Sequence, residues 1–308
     1  MGKRKRSKRV QSSLYAPYLW PSWLAVGLSW LLAKLPGSLR QSLSRGLAHL
    51  LIKTNVSRTN IIRRNIGLCF PNLSSQQQVK LAKQNLDSTI QLFFDLLDLV
   101  WARPESIDQR FDLSGENHYR QALDSDKPLI LLTGHFSTFL IGLARLSHIH
   151  PLHVVYRRMD NPVLESQLYQ RAVRQFPVTT IHRTETRRLV RKLQNKEVVL
   201  ILPDQDFGKK RSVFISFFGI QTATITALPQ YAKLAGANVL AYHTYRKDGG
   251  RLGLDIEPVF ENFPSGDLLA DTQRWSDWLE QSVRQHPEDY FWLHKRFKTR
   301  PAGEEKIY

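Results

Sequence analysis

From Leu113 onward the apolar residues stop recurring at helical spacing and gather into short unbroken runs: PLILLTGH, HVVYR, VTTIH, EVVLILP, VLAYHTYR and LGLDIEPV, with polar stretches between them. Unbroken runs, rather than alternating ones, predict strands buried on both faces, and so an α/β fold with a largely parallel central sheet flanked by helices. Upstream, residues 36–115 read as helical. The stretch NLSSQQQVKLAKQNLDSTIQLFFDLLDLVWA repeats apolar positions at helical spacing through Trp101, with Ser74 or Ser75 as N-cap and Pro104 as the stop. Still earlier, LYAPYLWPSWLAVGLSWLLAKL carries Tyr15, Tyr18, Trp20, Trp23 and Trp30 and no charge before Lys34. A basic arm, an aromatic belt and an apolar run in that order mark a membrane-seeking segment. The run is short and contains Pro21 and Gly27, which fits an interfacial or re-entrant helix better than a clean span of about 20 residues. LAKLPGSLRQ lacks the small-residue pattern of a signal cleavage site. The expected division is a basic disordered arm (1–14), a membrane-associating helix (15–35), a helical region (36–115) and an α/β core (116–302).

Composition narrows the partners. The 308 residues carry a formal charge of +17, and six of the first nine are Lys or Arg, so anionic partners are expected. Nucleic acid is not among them: no recognition motif appears, and the aromatic residues near the arm lie in an apolar run rather than a basic groove. The single cysteine, Cys69, rules out an intrachain disulfide. Its apolar flanks at the end of a predicted helix make it a buried structural residue rather than a nucleophile.

In an open α/β sheet, reactive groups sit just past the carboxyl ends of strands. His135 ends PLILLTGH, and Asp204 and Asp206 end EVVLILPDQD. Gly134 is expected to let the chain turn before the histidine, and Ser137 or Thr138 to cap the next helix. An imidazole fixed at a cleft in this way suits a general base. Asp204 and Asp206 beside a glycine-containing turn also suit turn capping. Arg157 and Arg158 follow another strand, placed to contact a phosphate or an oxyanion. HIHPLH (148–153) lacks the carboxylates or cysteines that would complete a metal site, so no metal is expected.

Six segments taken in order carry a resemblance: NIGLCFPNLS near residue 65, HF at 135, YRRMDNP from Tyr156, LPDQDFG from Leu202, FFG from Phe217, and HPEDYFWLHKRFKTRP from His286 to Pro301. Over residues 15–302 the chain resembles the late acyltransferases of lipid A biosynthesis, the lauroyl and myristoyl transferases, within the glycerol-phosphate acyltransferase group. The resemblance implies transfer of a fatty acyl chain from acyl carrier protein to a hydroxyl of a lipid A precursor glycolipid, at the cytoplasmic face of the bacterial inner membrane. It implies no cofactor, because the thioester is already activated. His135 would deprotonate the acceptor hydroxyl. Arg157 and Arg158 would contact a phosphate or the thioester oxyanion, and the terminal cluster His294, Lys295, Arg296, Lys298 and Arg300, interleaved with Trp292 and Phe297, would hold the substrate's phosphorylated sugar.

One position departs from the family pattern. The motif is His, four residues, then Asp or Glu, the acid fixing the imidazole tautomer and stabilising the imidazolium. Here the acid's position holds Leu140. Three readings follow: Asp204 or Asp206 pairs with His135 instead, the histidine works without an acid, or the protein binds glycolipid without acyl transfer. The first is preferred, since both aspartates end a strand of the same sheet.

Overall fold

A computed structural model describes residues 14–54 and 56–308. The arm read at 1–14 therefore lies almost wholly outside the described residues. Seven strands form the central sheet in the order β1 (Phe111–Ser114), β9 (Leu252–Val259), β8 (Asn238–Arg246), β2 (Leu129–Leu132), β5 (Val198–Ile201), β3 (Leu152–Tyr156) and β4 (Val178–His182). Every neighbouring pair is parallel except β8 with β9. The unbroken apolar runs have the predicted cause. Along β2, Ile130 and Leu132 enter one hydrophobic core while Leu129 and Leu131 enter the core on the opposite face. Along β5, Val199 and Ile201 face the first core and Val198 and Leu200 the second. Each core buries side chains of this kind at roughly 1.5–3 kcal/mol apiece.

Two features depart from the sequence reading. β1 falls inside the stretch read as helical, where its four residues pair with β9 along the sheet edge. Residues 212–225 form a separate antiparallel hairpin of β6 (Ser212–Phe217) and β7 (Ile220–Ile225).

Among the described residues, four long helices precede the sheet: α1 (Trp20–Leu32), α2 (Gly37–Leu51), α3 (Ser57–Cys69) and α4 (Ser75–Trp101). α4 begins as expected. Ser74 Oγ accepts from Gln77 N–H while the Gln77 side chain accepts from Ser74 N–H, so two donors at the helix start are satisfied reciprocally. Cys69 is buried at the end of α3, and burial pushes its thiol well above its ordinary range, which makes it unreactive. α1 is held on one side by Leu19, Val26 and Trp23, and by Ser29 Oγ, which accepts from Trp101 Nε1 at 3.0 Å. Its other side presents Trp20, Leu24, Leu28 and Leu31 to solvent, and α2 presents Leu39, Leu43, Leu47 and Leu50. Among the described residues no helix is long and apolar enough to cross a membrane; thirteen residues of α1 reach only about 20 Å at 1.5 Å per residue.

Candidate active site

β2 and β5 are neighbours, and their register pairs Leu132 with Ile201. His135 and Asp204 each stand three residues past those partners, so parallel pairing brings them to the same level at the carboxyl edge of the sheet. His135 Nδ1 lies 2.5 Å from Asp204 Oδ1, and His135 N–H donates to Asp204 Oδ2 at 2.9 Å. Tyr290 O–H donates to the same Oδ2 at 3.1 Å. Asp204 is only 2% exposed. Burial alone would raise its carboxyl, but the His135 imidazole and its hydrogen bonds, with the Arg296 charge behind them, hold it down at about 2. Asp204 is therefore ionised and can only accept, so the hydrogen of neutral His135 sits on Nδ1 and Nε2 keeps a free lone pair. The His135 side chain is 23% exposed, open enough to meet a substrate.

A carboxyl held low stabilises the fold above its unfolded value, near 4, and loses that contribution as the pH falls through its folded value. The melting temperatures of wild type and Asp204→Asn should differ fully above about pH 4 and converge as the pH approaches 2. Calorimetry at stepped pH checks this; a difference that persists unchanged near pH 2 would contradict it.

Gly134 opens a tight turn closed by Phe136 N–H donating to its carbonyl at 2.9 Å, at a point of close approach. Its backbone is not left-handed; a Cβ there would come within 2.5 Å of Leu279 Cδ1 and 3.5 Å of Asp204 Oδ2. The glycine lets the chain pass close under the carboxylate. Thr138 does take the N-cap position of the helix Phe139–Ser147, but its hydroxyl bonds Thr244 O and Oγ1, both at 2.8 Å, rather than the helix start. Leu140 lies half-buried on that helix, packed against the second core.

The closing HPEDYFWLH segment runs beside the histidine loop as a strap. Phe136 and Tyr290 form an antiparallel bridge, Phe291 N–H donates to His135 O at 2.9 Å, and Ser137 N–H donates to Asp289 O at 2.6 Å. Two asparagines hold the strap from outside. Asn85 on α4 donates to Glu288 O and Tyr290 O (2.8 and 2.6 Å), and Asn65 on α3 to Trp292 O and His294 O (2.7 and 2.9 Å). Asp289, fully buried, accepts from Ser88 Oγ, Ser137 Oγ and Arg246 N–H. Asn65, Asn85, Ser88, Asp289 and Tyr290 were not among the sequence-derived site residues. The signal that marks the three on helices is a polar side chain inside an apolar helical stripe, as with Asn85 and Ser88 among Leu81, Ala82 and Leu86.

The other predicted site residues separate. Asp206 does not bond His135; its carboxylate accepts from Thr299 N–H (2.7 Å), Thr299 Oγ1 (2.8 Å) and Gly208 N–H (2.8 Å), which is the turn-capping role. His294 Nε2 accepts from Asp206 N–H at 2.9 Å, and burial pushes its imidazole down to about 4, so it is neutral and offers no cation to a phosphate. Arg296 is 1% exposed and spends its donors on Ala223 O (2.9 Å) and Thr224 Oγ1 (2.7 Å). Trp292 and Phe297, expected at a sugar, are core residues. Arg300 is pinned to Gln221 O (2.5 Å) and Glu304. The terminal run is thus largely a buried scaffold, because its aromatics belong to the core and carry their neighbours inward; Lys298 stays exposed. Arg157 and Arg158 are exposed just beyond β3, one strand past β5 on the edge that holds His135. In HIHPLH, His148 bonds Asp108 (2.8 Å) and His153 bonds Glu197 (2.5 Å). No metal-holding group of His, Cys, Asp or Glu occurs among the described residues.

A base oriented by a buried carboxylate at a sheet edge is equipped to activate a hydroxyl for transfer. A model of the bacterial lipid A biosynthesis acyltransferases matches residues 7–299, and the chain belongs to that family of acyltransferase enzymes. It is 30% identical over 304 residues to the lipid A biosynthesis lauroyltransferase of Escherichia coli, covering 97% of this chain and 98% of that one. It is 28% identical to the palmitoleoyltransferase of the same organism, with 95% of each chain covered. A lipid A biosynthesis acyltransferase of Haemophilus influenzae is also 28% identical, with 97% of each covered.

Proposed function

We propose that this enzyme moves a fatty acyl chain from acyl carrier protein to a hydroxyl of a lipid A precursor, at the cytoplasmic face of the bacterial inner membrane. The observation that carries the proposal is the 2.5 Å contact between His135 Nδ1 and Asp204 Oδ1, which leaves Nε2 free for a substrate proton. Nε2 takes the proton of the acceptor hydroxyl as its oxygen attacks the thioester carbonyl. The tetrahedral intermediate then collapses, the carbon–sulfur bond breaks, and the imidazolium returns the proton to the departing thiolate. Asp204, ionised throughout, stabilises the imidazolium. Arg157 and Arg158 serve the oxyanion or a substrate phosphate. Purified protein given an acyl carrier protein thioester and lipid A precursor should yield a product heavier by one acyl chain in mass spectrometry. Glycolipid binding with no such product would support the noncatalytic reading instead.

The exposed apolar stripes of α1 and α2 support the membrane half of the proposal. A contiguous apolar patch of this kind is rare on a soluble monomer, and a helix lying in the interface needs no span. A basic arm kept on the cytoplasmic side then leaves the catalytic core beside the carrier protein. Replacing Leu24, Leu28 and Leu31 together with glutamine should lower partitioning to anionic vesicles by at least about 10²-fold, given roughly 1.5 kcal/mol per leucine buried in lipid. The fold should survive, because these side chains already face solvent. Vesicle co-sedimentation gives the answer, and an unchanged membrane fraction would remove α1 from the interface.

A further inference from the structure

We propose that the outward face of the helix Thr186–Gln194, together with the loop Lys209–Arg211, is the docking surface for the acidic carrier protein that presents the acyl thioester. This rests on the reading above that the donor is carrier-bound. The helix, TRRLVRKLQ, turns Leu189 and Leu193 into the core. It gives Arg187, Arg188, Arg191 and Lys192 to the other side, where they line a shallow recess. Arg188 meets Glu185 at 3.1 Å and Lys192 meets Glu197 at 2.9 Å. Arg183, Arg187 and Arg191 are exposed and make no ion pair among the described residues, and the same holds for Lys209, Lys210 and Arg211. The two basic segments adjoin one element, the helix Ala227–Ala235: the helix Thr186–Gln194 packs against it, and its N-cap Thr226 N–H donates to Arg211 O at 3.5 Å.

Six uncompensated cations on one face repel one another, and an anionic partner relieves that repulsion. Their position fits delivery. β4, which the helix follows, is three places from β2 in the sheet, and both end at the same edge. At about 4.8 Å per strand this sets the surface roughly 14 Å to the side of His135. Lys209–Arg211 follow Asp204 by only five to seven residues in sequence. The chemistry of the helix favours a soluble protein over a lipid surface, since it presents no large exposed apolar side chain, and beside the loop the exposed Phe207 stands singly. Lipid binding by a helix needs an apolar face as well as charge, and that is the pattern of α1.

The test compares two donors carrying the same acyl chain, the carrier-protein thioester and an acyl-pantetheine. In Arg187→Glu/Arg191→Glu enzyme, KM for the carrier thioester should rise at least about 10-fold at low salt and by less at high salt, where exposed charges are screened. The pantetheine donor, which has no acidic body to dock, should keep its KM. Lys209→Glu/Lys210→Glu should reproduce the pattern from the second segment. An unchanged carrier KM, or equal losses with both donors, would overturn the surface while leaving the carrier reading intact. Loss of vesicle binding with the carrier KM preserved would assign the face to the membrane and likewise overturn it. A wild-type enzyme that uses the pantetheine donor and ignores the carrier thioester would overturn the carrier reading, and the surface with it.

Discussion

Replacing His135 with alanine is expected to lower the transfer rate by about 10²- to 10⁴-fold, the usual contribution of a positioned general base. Asp204→Asn should cost on the order of 10⁴-fold, because an amide cannot stabilise the imidazolium and can hold the wrong tautomer. Both losses should appear in kcat, with KM for glycolipid little changed, since neither residue is assigned to substrate binding. Asp206→Asn is the control: its carboxylate is taken up by Thr299 and Gly208, so its loss acts on stability and only weakly on the rate. Rapid-quench kinetics on the purified variants separates these outcomes. A full rate in Asp204→Asn would show that the contact with His135 is architectural only.

The largest expected loss of stability is at Asp289. Asp289→Ala takes the acceptor from the buried N–H of Arg246 and from one of the Ser88 and Ser137 hydroxyls, which can still bond each other at 2.5 Å, and leaves the Arg246 guanidinium with Asp95 as its one carboxylate beside Ser88. Buried donors without partners and a buried charge with one partner fewer together cost about 3–5 kcal/mol. The melting temperature should fall by roughly 10 °C, readable by calorimetry. A shift under about 2 °C would mean that the strap is held by Asn65 and Asn85 without help from Asp289.

Most of the sheet could be read from the sequence, because burial on both faces leaves an unmistakable apolar run at β2, β5 and β8. β4 and β9 were delimited to the residue. β1 escaped because FDLS has only one fully buried residue, Phe111, and follows helical sequence. The β6–β7 hairpin escaped for a different reason. Its turn takes left-handed backbone at both Phe218 (φ 53°) and Gly219 (φ 74°), a geometry normally announced by Asn-Gly or Asp-Gly. Phe218 gives no such sign, and its ring is spent on packing against Phe70 and Trp292.

The site was legible in part. Strand ends located His135 and Asp204, but strand order made them neighbours, and order is a long-range property: β5 inserts between β2 and β3 after the chain has already laid down β3 and β4. Charge misled at the C-terminus. Arg296 reads as a surface cation by type, yet Trp292 and Phe297 on either side draw it into the core, where its charge supports Asp204 from behind.

Leu140→Glu tests the central claim, that Asp204 does the work of the acid missing from position 140. The measured quantity is the single-turnover rate of acyl transfer in this variant beside wild type. With His135 Nδ1 already paired to Asp204 at 2.5 Å, the new carboxylate finds no free imidazole N–H to accept and adds a charge to a half-buried apolar position. The rate should stay level or fall. A rise of several-fold would mean that His135 had been working without an acid, and would contradict the account.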